Sequence, residues 1–237
     1  MSRFLPVVSL CCLYMFSYPH QAMAERLRMA MPDYPPFSYQ QDDAFRGEGY
    51  DAFVQIMAEL DRDYTIELVP HFGRVLLEIE QGSLDGFFMA SPSEERDAVA
   101  VFSEPVIDTR WVWVWLTAKQ DVTPAMASFQ QHARVSAQMN SNIYRWLNEQ
   151  GYQVAAGTND IRGLFALLDY GRVDAIMLPE ATFYAVIADS EWQEERYQRQ
   201  VERELAFGIY LSKSHLAQNP DLMTQINEAI QRYRASR

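Results

Sequence analysis

The hydrophobic positions in the first half of the chain change repeatedly between the spacing of a strand and that of a helix. Leu27, Met29 and Met31 occupy every second position, which predicts a strand, and two prolines then prevent it from continuing. The pattern next predicts a helix over residues 50–60, a strand over 65–69, a helix over 72–79 and a strand over 84–89. This order favours an α/β unit whose parallel strands are covered by helices.

A second unit of the same kind follows Pro105. Trp111, Trp113 and Trp115 alternate with other apolar residues, so both faces of this strand are hydrophobic and we expect it to be covered on both sides. The later pattern predicts strands over residues 135–138, 153–156, 173–178 and 207–211, and helices from residue 143, over 161–168, over 182–188 and over 222–233. Residues 191–204 form a polar, charge-rich stretch between these elements.

Two α/β units joined by apolar strands predict two lobes. The strands at residues 111–116 and 207–211 would be the two crossings between them. We therefore expect residues 25–112 together with 206–237 to form lobe 1, and residues 113–205 to form lobe 2.

Residues 1–24 have the parts of a secretory signal peptide. Arg3 supplies the positive start, residues 4–16 are mostly apolar, and residues 22–24 read Ala-Met-Ala, a small-residue cleavage site. The apolar run is shorter than the roughly 20 residues that span a bilayer, which argues against a membrane anchor. We expect cleavage after Ala24 and a periplasmic protein.

Composition narrows the class of protein further. With 49% hydrophobic and 22% charged residues, the chain is not mainly disordered. Its net charge of −12 argues against a nucleic-acid partner, which requires a basic surface. Both cysteines lie in the predicted signal peptide, so the mature chain has no thiol for a disulfide or a metal site. The three histidines after residue 24 lie far apart in the sequence, and no metal site or cofactor is predicted.

Several short segments, taken in order, resemble the family 3 bacterial extracellular solute-binding proteins, which serve polar amino-acid ABC importers. These segments are Tyr34-Pro35-Pro36-Phe37, Gly49-Tyr50-Asp51, Gly82-Ser83-Leu84-Asp85-Gly86, Ser91-Pro92-Ser93-Glu94-Glu95-Arg96, Phe102-Ser103-Glu104-Pro105 and Gly171-Arg172-Val173-Asp174-Ala175. The resemblance covers essentially the whole mature chain. It implies a two-lobed α/β fold of the periplasmic-binding-protein kind (type II), with two crossing strands and a ligand in the cleft between the lobes.

In the first lobe, the resemblance implies that Arg96 holds the carboxylate of the ligand. A guanidinium presents a planar fork of donors that matches a carboxylate in two parallel bonds. The alternative is a surface arginine paired with a neighbouring glutamate. Ser91 and Ser93 precede Arg96, where their hydroxyls either cap a helix or leave its N–H groups free for an anion. Tyr34 is expected to line the cleft, and Phe37 to pack in the core.

The second lobe departs from the family pattern. Asn140, Ser141 and Asn142 stand where amino-acid binders usually have a Gly-Thr or Gly-Ser pair, and they either bind an anionic group or cap a helix. The family's acidic residue for the ligand ammonium falls on Pro179, with Glu180 next to it. Either Glu180 takes that role, or the ammonium site is missing and the ligand need not be an α-amino acid.

Arg74 is a further candidate ligand residue. It follows a predicted strand closely, and ligands of parallel sheets lie beyond the carboxyl ends of the strands. The alternative is an arginine in the solvated first turn of a helix.

Three functions remain open from the sequence. The first is a monomeric periplasmic protein that captures a small carboxylate-bearing ligand, an amino acid or a similar metabolite, for a membrane permease or a sensor. The second is a secreted dehydratase-like enzyme of the prephenate or arogenate type, for which Glu180 or Asp33 would be the general acid. The third is a signalling module. The spacing of the residues requires no catalytic group, so we expect a binding protein.

Overall fold

The computed structural model describes residues 26–69, 72–155 and 157–237, so the predicted signal peptide lies outside the described residues. The strands are β1 (Leu27–Pro32), β2 (Tyr39–Gln41), β3 (Ala44–Arg46), β4 (Tyr64–Val69), β5 (Gly86–Ala90), β6 (Ala100–Phe102), β7 (Ile107–Leu116), β8 (Arg134–Ser136), β9 (Gln153–Val154), β10 (Ala175–Pro179) and β11 (Tyr197–Ser212). The helices are α1 (Glu48–Glu59), α2 (Phe72–Glu80), α3 (Glu94–Val99), α4 (Phe129–His132), α5 (Asn142–Glu149), α6 (Ile161–Asp169), α7 (Glu180–Ala188), α8 (Lys213–Gln218) and α9 (Leu222–Ala235). Within these ranges, no helix combines the length and the hydropathy needed to cross a membrane.

The main sheet is mixed, and its strands follow the order β4-β1-β5-β11-β7-β10-β8-β9. In the first half, β1 is parallel to β4 and to β5, and in the second half β8 is parallel to β9 and to β10. These are the strands that helices connect, as parallel pairing requires. The two halves meet at β11 and β7, which are antiparallel to each other and to their outer neighbours.

The long strands β7 and β11 join the two halves. Residues 197–207 of β11 pair with β7, and residues 208–212 pair with β5 and β6. These two strands are the crossings of a two-lobed α/β fold, as predicted. The pattern predicted no secondary structure for the polar stretch over residues 191–204, but residues 197–204 of it belong to β11. Their polar side chains are mostly outside the core, while their backbone pairs with β7.

The hydrophobic cores are separate on the two sides of these crossings. Phe53 of α1 stacks on Phe88 of β5 with ring centroids 4.1 Å apart, and Ile230 of α9 belongs to the same cluster. A cluster in the other half contains Leu164 of α6, Phe183 of α7 and residues of β7, β10 and β11. The return of the C-terminal helix to α1 supports the proposed lobe 1 of residues 25–112 and 206–237, with lobe 2 at 113–205.

An aspartate and an arginine brace each half of the sheet in the same way. Asp85, just before β5, accepts hydrogen bonds from the backbone N, Nε and Nη2 of Arg28. Asp174, just before β10, accepts from the same three groups of Arg134. Each pair ties the start of a central strand to its parallel neighbour, so these aspartates are structural.

Candidate functional site

A cavity lies between the two halves, beside the crossing strands. The first half contributes the loop after β1, the loop after β5 and residue Arg96 of α3, while the second contributes residues 138–143 and Asn159. The space open to the centre of a water molecule is about 40 Å3. One water needs roughly 10–15 Å3 by this measure, so the cavity has room for more than a single water.

Arg96 is the buried cation of this cavity. Its side chain is only 1% exposed, and Nη1 donates to the backbone carbonyl of Ser91 at 2.6 Å. The guanidinium lies 4.1 Å from the centre of the Phe72 ring, and Nε has no hydrogen-bond partner. The nearby acids are engaged elsewhere, because Glu95 pairs with Arg145 and Asp97 accepts from Tyr210. Burial lowers the pKa of Arg96 to about 10, since removal from water disfavours the charged form.

The two serines before Arg96 have different roles. Ser91 is buried and lines the cavity, where its carbonyl and hydroxyl both accept hydrogen bonds. Ser93 caps α3, since its hydroxyl faces the backbone N–H of Arg96 at 3.5 Å. Its own N–H donates to the hydroxyl of Tyr210 at 3.3 Å. The structure therefore brings Ser91 to the cavity and uses Ser93 to begin the helix.

The segment before α5 closes the cavity from the second half. Asn140, Ser141 and Asn142 all line it, and the Ser141 hydroxyl also caps α5 by accepting from the N–H of Tyr144 at 3.1 Å. Binding and capping were alternatives in the sequence, and the structure shows the cap together with a place in the lining.

Asn142, Arg145 and Thr182 are among the residues of the second half that contact the first. Asn142 Nδ2 donates to the hydroxyl of Ser91 at 2.7 Å and to its carbonyl at 3.1 Å. Arg145 pairs with Glu95 and also donates to Asn142 Oδ1 at 2.6 Å. On the other side, the Thr182 hydroxyl donates to the carbonyl of Pro35 at 3.1 Å. With these contacts made, the structure is that of a closed cleft.

Tyr34 forms part of the wall of the cavity. It is 8% exposed, and burial raises the pKa of its hydroxyl, which therefore stays neutral. Phe37 packs in the core at 2% exposure, and Phe207 contacts both rings. Trp111, on the strand that we expected to be covered on both faces, is buried in a core cluster of the second half and also lines the cavity.

Arg74 and Glu180 were candidate ligand residues, but neither lines this cavity. Arg74 lies on the outside of α2, where Nε bonds to Glu78 at 2.7 Å and Nη2 to Glu67 at 3.0 Å. Glu180 begins α7 and forms an ion pair with Arg110 in a different groove. Arg74 is paired with Glu67 of β4 and with Glu78 of its own helix, and Glu180 is paired with Arg110 of β7, so both side chains are engaged outside the cavity.

Some residues of the lining were not singled out as ligand residues from the sequence. Asp33 had been named only as a general acid for the enzyme hypothesis, yet it lies at the cavity, where partial burial raises its pKa. Gln138 and Asn159 also line it, and Gln138 Nε2 donates to the carbonyl of Asn159 at 3.0 Å. Single polar residues in loops carry no distinctive pattern, so only the position of Asp33 beside Tyr34 was a usable signal. Among the described residues, no three histidine, aspartate or glutamate side chains form a metal-binding group.

Solved structures with the same fold include several amino-acid complexes. The arginine-bound form of truncated ArgBP from T. maritima is 22% identical with a TM-score of 0.70, covering 87% of this chain and 95% of that one. The ligand-binding core of GluR0 from Nostoc punctiforme, in complex with L-glutamate, is 16% identical with a TM-score of 0.74, covering 89% and 93%. A histidine-bound substrate-binding protein of an ABC uptake transporter from Streptococcus pneumoniae is 16% identical with a TM-score of 0.72, covering 87% and 85%. At these identities the similarity establishes the fold.

The sequence itself determines the family. A comparison with curated proteins found no match. The model of the bacterial extracellular solute-binding proteins, family 3, matches residues 27–237, which is all of the chain after the N-terminal segment. The chain therefore belongs to the bacterial extracellular solute-binding proteins of family 3, which are binding proteins and not enzymes.

Proposed function

We propose that this protein captures an amino acid in the cavity between its lobes and presents it to a membrane partner. The observation that carries the proposal is Arg96, a buried guanidinium without a carboxylate partner in the described part of the chain. Isolated buried charges are costly, and those that proteins keep are nearly always paired. A ligand carboxylate at Arg96 supplies the missing partner.

The surroundings of Arg96 suit a carboxylate held by several donors. Arg96 Nε is unpartnered, so it is available together with a terminal nitrogen for the two parallel bonds of a guanidinium–carboxylate pair. Ser91 offers a hydroxyl, and Asn142 brings an amide from the opposite lobe. The Tyr34 ring covers the body of the ligand from the side of the first loop.

The cross-cleft contacts support a mechanism of capture by closure. In this mechanism, the ligand first binds Arg96 and Ser91 in the open cleft. The second lobe then swings about β7 and β11, and Asn142, Arg145 and Thr182 make their bonds to the first lobe. The bound ligand favours the closed form because only that form contacts it from both sides.

The location and the partner are part of the same proposal. The Ala-Met-Ala sequence at residues 22–24 supports export of the mature protein to the periplasm. Proteins of similar fold hold arginine, glutamate or histidine, which supports an amino acid as the ligand. We expect an ABC permease to bind the closed form, with a membrane sensor as the alternative partner. We also expect the protein to act as a monomer.

Calorimetry on variants of Arg96 tests this function, after a thermal-shift screen of the mature protein with the standard amino acids identifies a ligand. We expect Arg96→Ala to weaken binding at least about 30-fold, as loss of a buried charged hydrogen bond does. Arg96→Lys should also lose affinity for the ligand, because an ammonium cannot form the two parallel bonds that a guanidinium forms with a carboxylate. The control is Arg74→Ala, an exposed arginine outside the cavity, for which we expect affinity within about twofold of wild type. If Arg96→Ala binds within about threefold of wild type, the proposed site is wrong.

A further inference from the structure

The charged groups of the cavity are few and opposite in sign. Among the described residues that line it, Arg96 is the one cation and Asp33 the one carboxylate. Both come from the first half of the sheet, the arginine from α3 and the aspartate from the residue after β1. The cavity therefore presents one positive and one negative pole to whatever occupies it.

Asp33 is available for a ligand. In the described residues its carboxylate takes part in no hydrogen bond or ion pair, while its backbone N–H donates to the carbonyl of Val69 at 3.1 Å and so holds the loop in place. The second half offers no competing carboxylate, since Glu180 pairs with Arg110 outside the cavity. A cationic group of the ligand thus has Asp33 as its charged partner.

The remaining side chains of the lining carry no charge. Four are carboxamides, from Gln138, Asn140, Asn142 and Asn159, and most of the others are aromatic or apolar. A ligand charge beyond the two that face Arg96 and Asp33 would lose its hydration in the cavity and find no charged partner. Such a ligand is disfavoured by the closed cavity even when its other groups fit.

We propose that the ligand is an amino acid of zero net charge, with its carboxylate at Arg96, its ammonium group at Asp33 and an uncharged side chain against the carboxamides and aromatic rings. This selectivity rests on the proposed function, because it describes the ligand of the same cavity. It separates neutral amino acids from arginine and from glutamate, which carry an additional charge of one sign or the other.

The first test measures selectivity on the wild-type protein by titration calorimetry. The probes are L-glutamine, L-methionine, L-arginine and L-glutamate, with ligand first removed by unfolding and refolding. We expect at least one neutral probe to bind about tenfold or more tightly than either charged one. A charged amino acid as the tightest ligand overturns the proposal, and it does so without any variant that has to fold.

The second test locates the ammonium group. Asp33→Asn should weaken binding of the better neutral amino acid about tenfold and leave its analogue without the α-amino group within twofold of wild type. The matched control is Asp42→Asn, an exposed aspartate of the β2–β3 turn outside the cavity, which should change neither affinity. Equal effects of Asp33→Asn on the two ligands, or no effect on either, overturn the assignment.

The two proposals fail in distinguishable ways. If Arg96→Ala abolishes binding while Asp33→Asn changes nothing, the carboxylate site holds and the ammonium assignment is wrong. If no amino acid binds the wild-type protein, both are overturned.

Discussion

Replacing Arg96 by methionine should abolish binding at almost no cost in the stability of the ligand-free protein. A fully buried residue normally stabilises the fold, so its replacement usually destabilises it. Arg96 differs because its charge is buried without a carboxylate partner in the described part of the chain, and the apolar stem of methionine retains much of the packing.

The magnitude follows from the environment of the guanidinium. Burial lowers the pKa of Arg96 from its ordinary 12.5 to about 10. At about 1.4 kcal/mol for each pKa unit, folding costs the protonated form roughly 3 kcal/mol relative to the unfolded chain, where the guanidinium is fully hydrated. Against this stand the hydrogen bond to the Ser91 carbonyl and the contact with the Phe72 ring, each worth about 1–2 kcal/mol. The carbonyl keeps Asn142 as a donor in the variant. The two effects nearly cancel, so we expect a change within about 1 kcal/mol.

Urea unfolding followed by tryptophan fluorescence measures this change on protein freed of ligand. The control, Phe53→Ala in the first core, should lose about 3–5 kcal/mol. Ligand at 100 times its dissociation constant should stabilise the wild type by about 2.7 kcal/mol and Arg96→Met not at all. A loss of more than about 2 kcal/mol in ligand-free Arg96→Met would refute the reasoning, since it would make Arg96 a structural residue.

Two further predictions concern the cleft and the second lobe. Asn142→Ala should weaken ligand binding about tenfold in calorimetry, because it removes the bonds to Ser91 that closure forms, whereas Asn148→Ala should have no effect; equal affinities of the two variants would contradict this. Burial raises the pKa of Asp174, but the hydrogen bonds from Arg134 together have the larger effect and hold the pKa at about 2. The ionised carboxylate therefore stabilises the fold fully above about pH 4, and this stabilisation is lost as the pH falls toward 2. Urea unfolding at pH 5 and pH 3 should therefore show a smaller loss of stability for Asp174→Asn than for wild type, and an identical loss would contradict this.

The periodic elements of this chain were predictable because burial leaves a local pattern. Strand β1 and helices α1 and α6 appear where apolar residues recur at the spacing of a strand or a helix, and β5 appears where a short apolar run is continuous. The first half of β11 was missed because its side chains are largely polar and its stability comes from pairing with β7, some 80 residues earlier. Hydrogen bonds between distant backbones have no signature in local hydropathy.

The residues of the candidate site were likewise predictable only in part. The sequence by itself indicated the family, the two-lobed fold and the candidates Arg96, Ser91 and Tyr34, because those residues stand in short segments whose order is characteristic. Only the tertiary structure decided which charged side chains reach the cavity.

The reason is that the environment of a charge depends on residues far away in the chain. Arg110, 70 positions before Glu180, draws that glutamate away from the cleft, and the folding of α3 against Phe72 buries Arg96. Asp33 lines the cavity because the loop after β1 meets the second lobe there. Residue types and their local order determined the fold of this protein, and long-range packing determined the charges that its ligand meets.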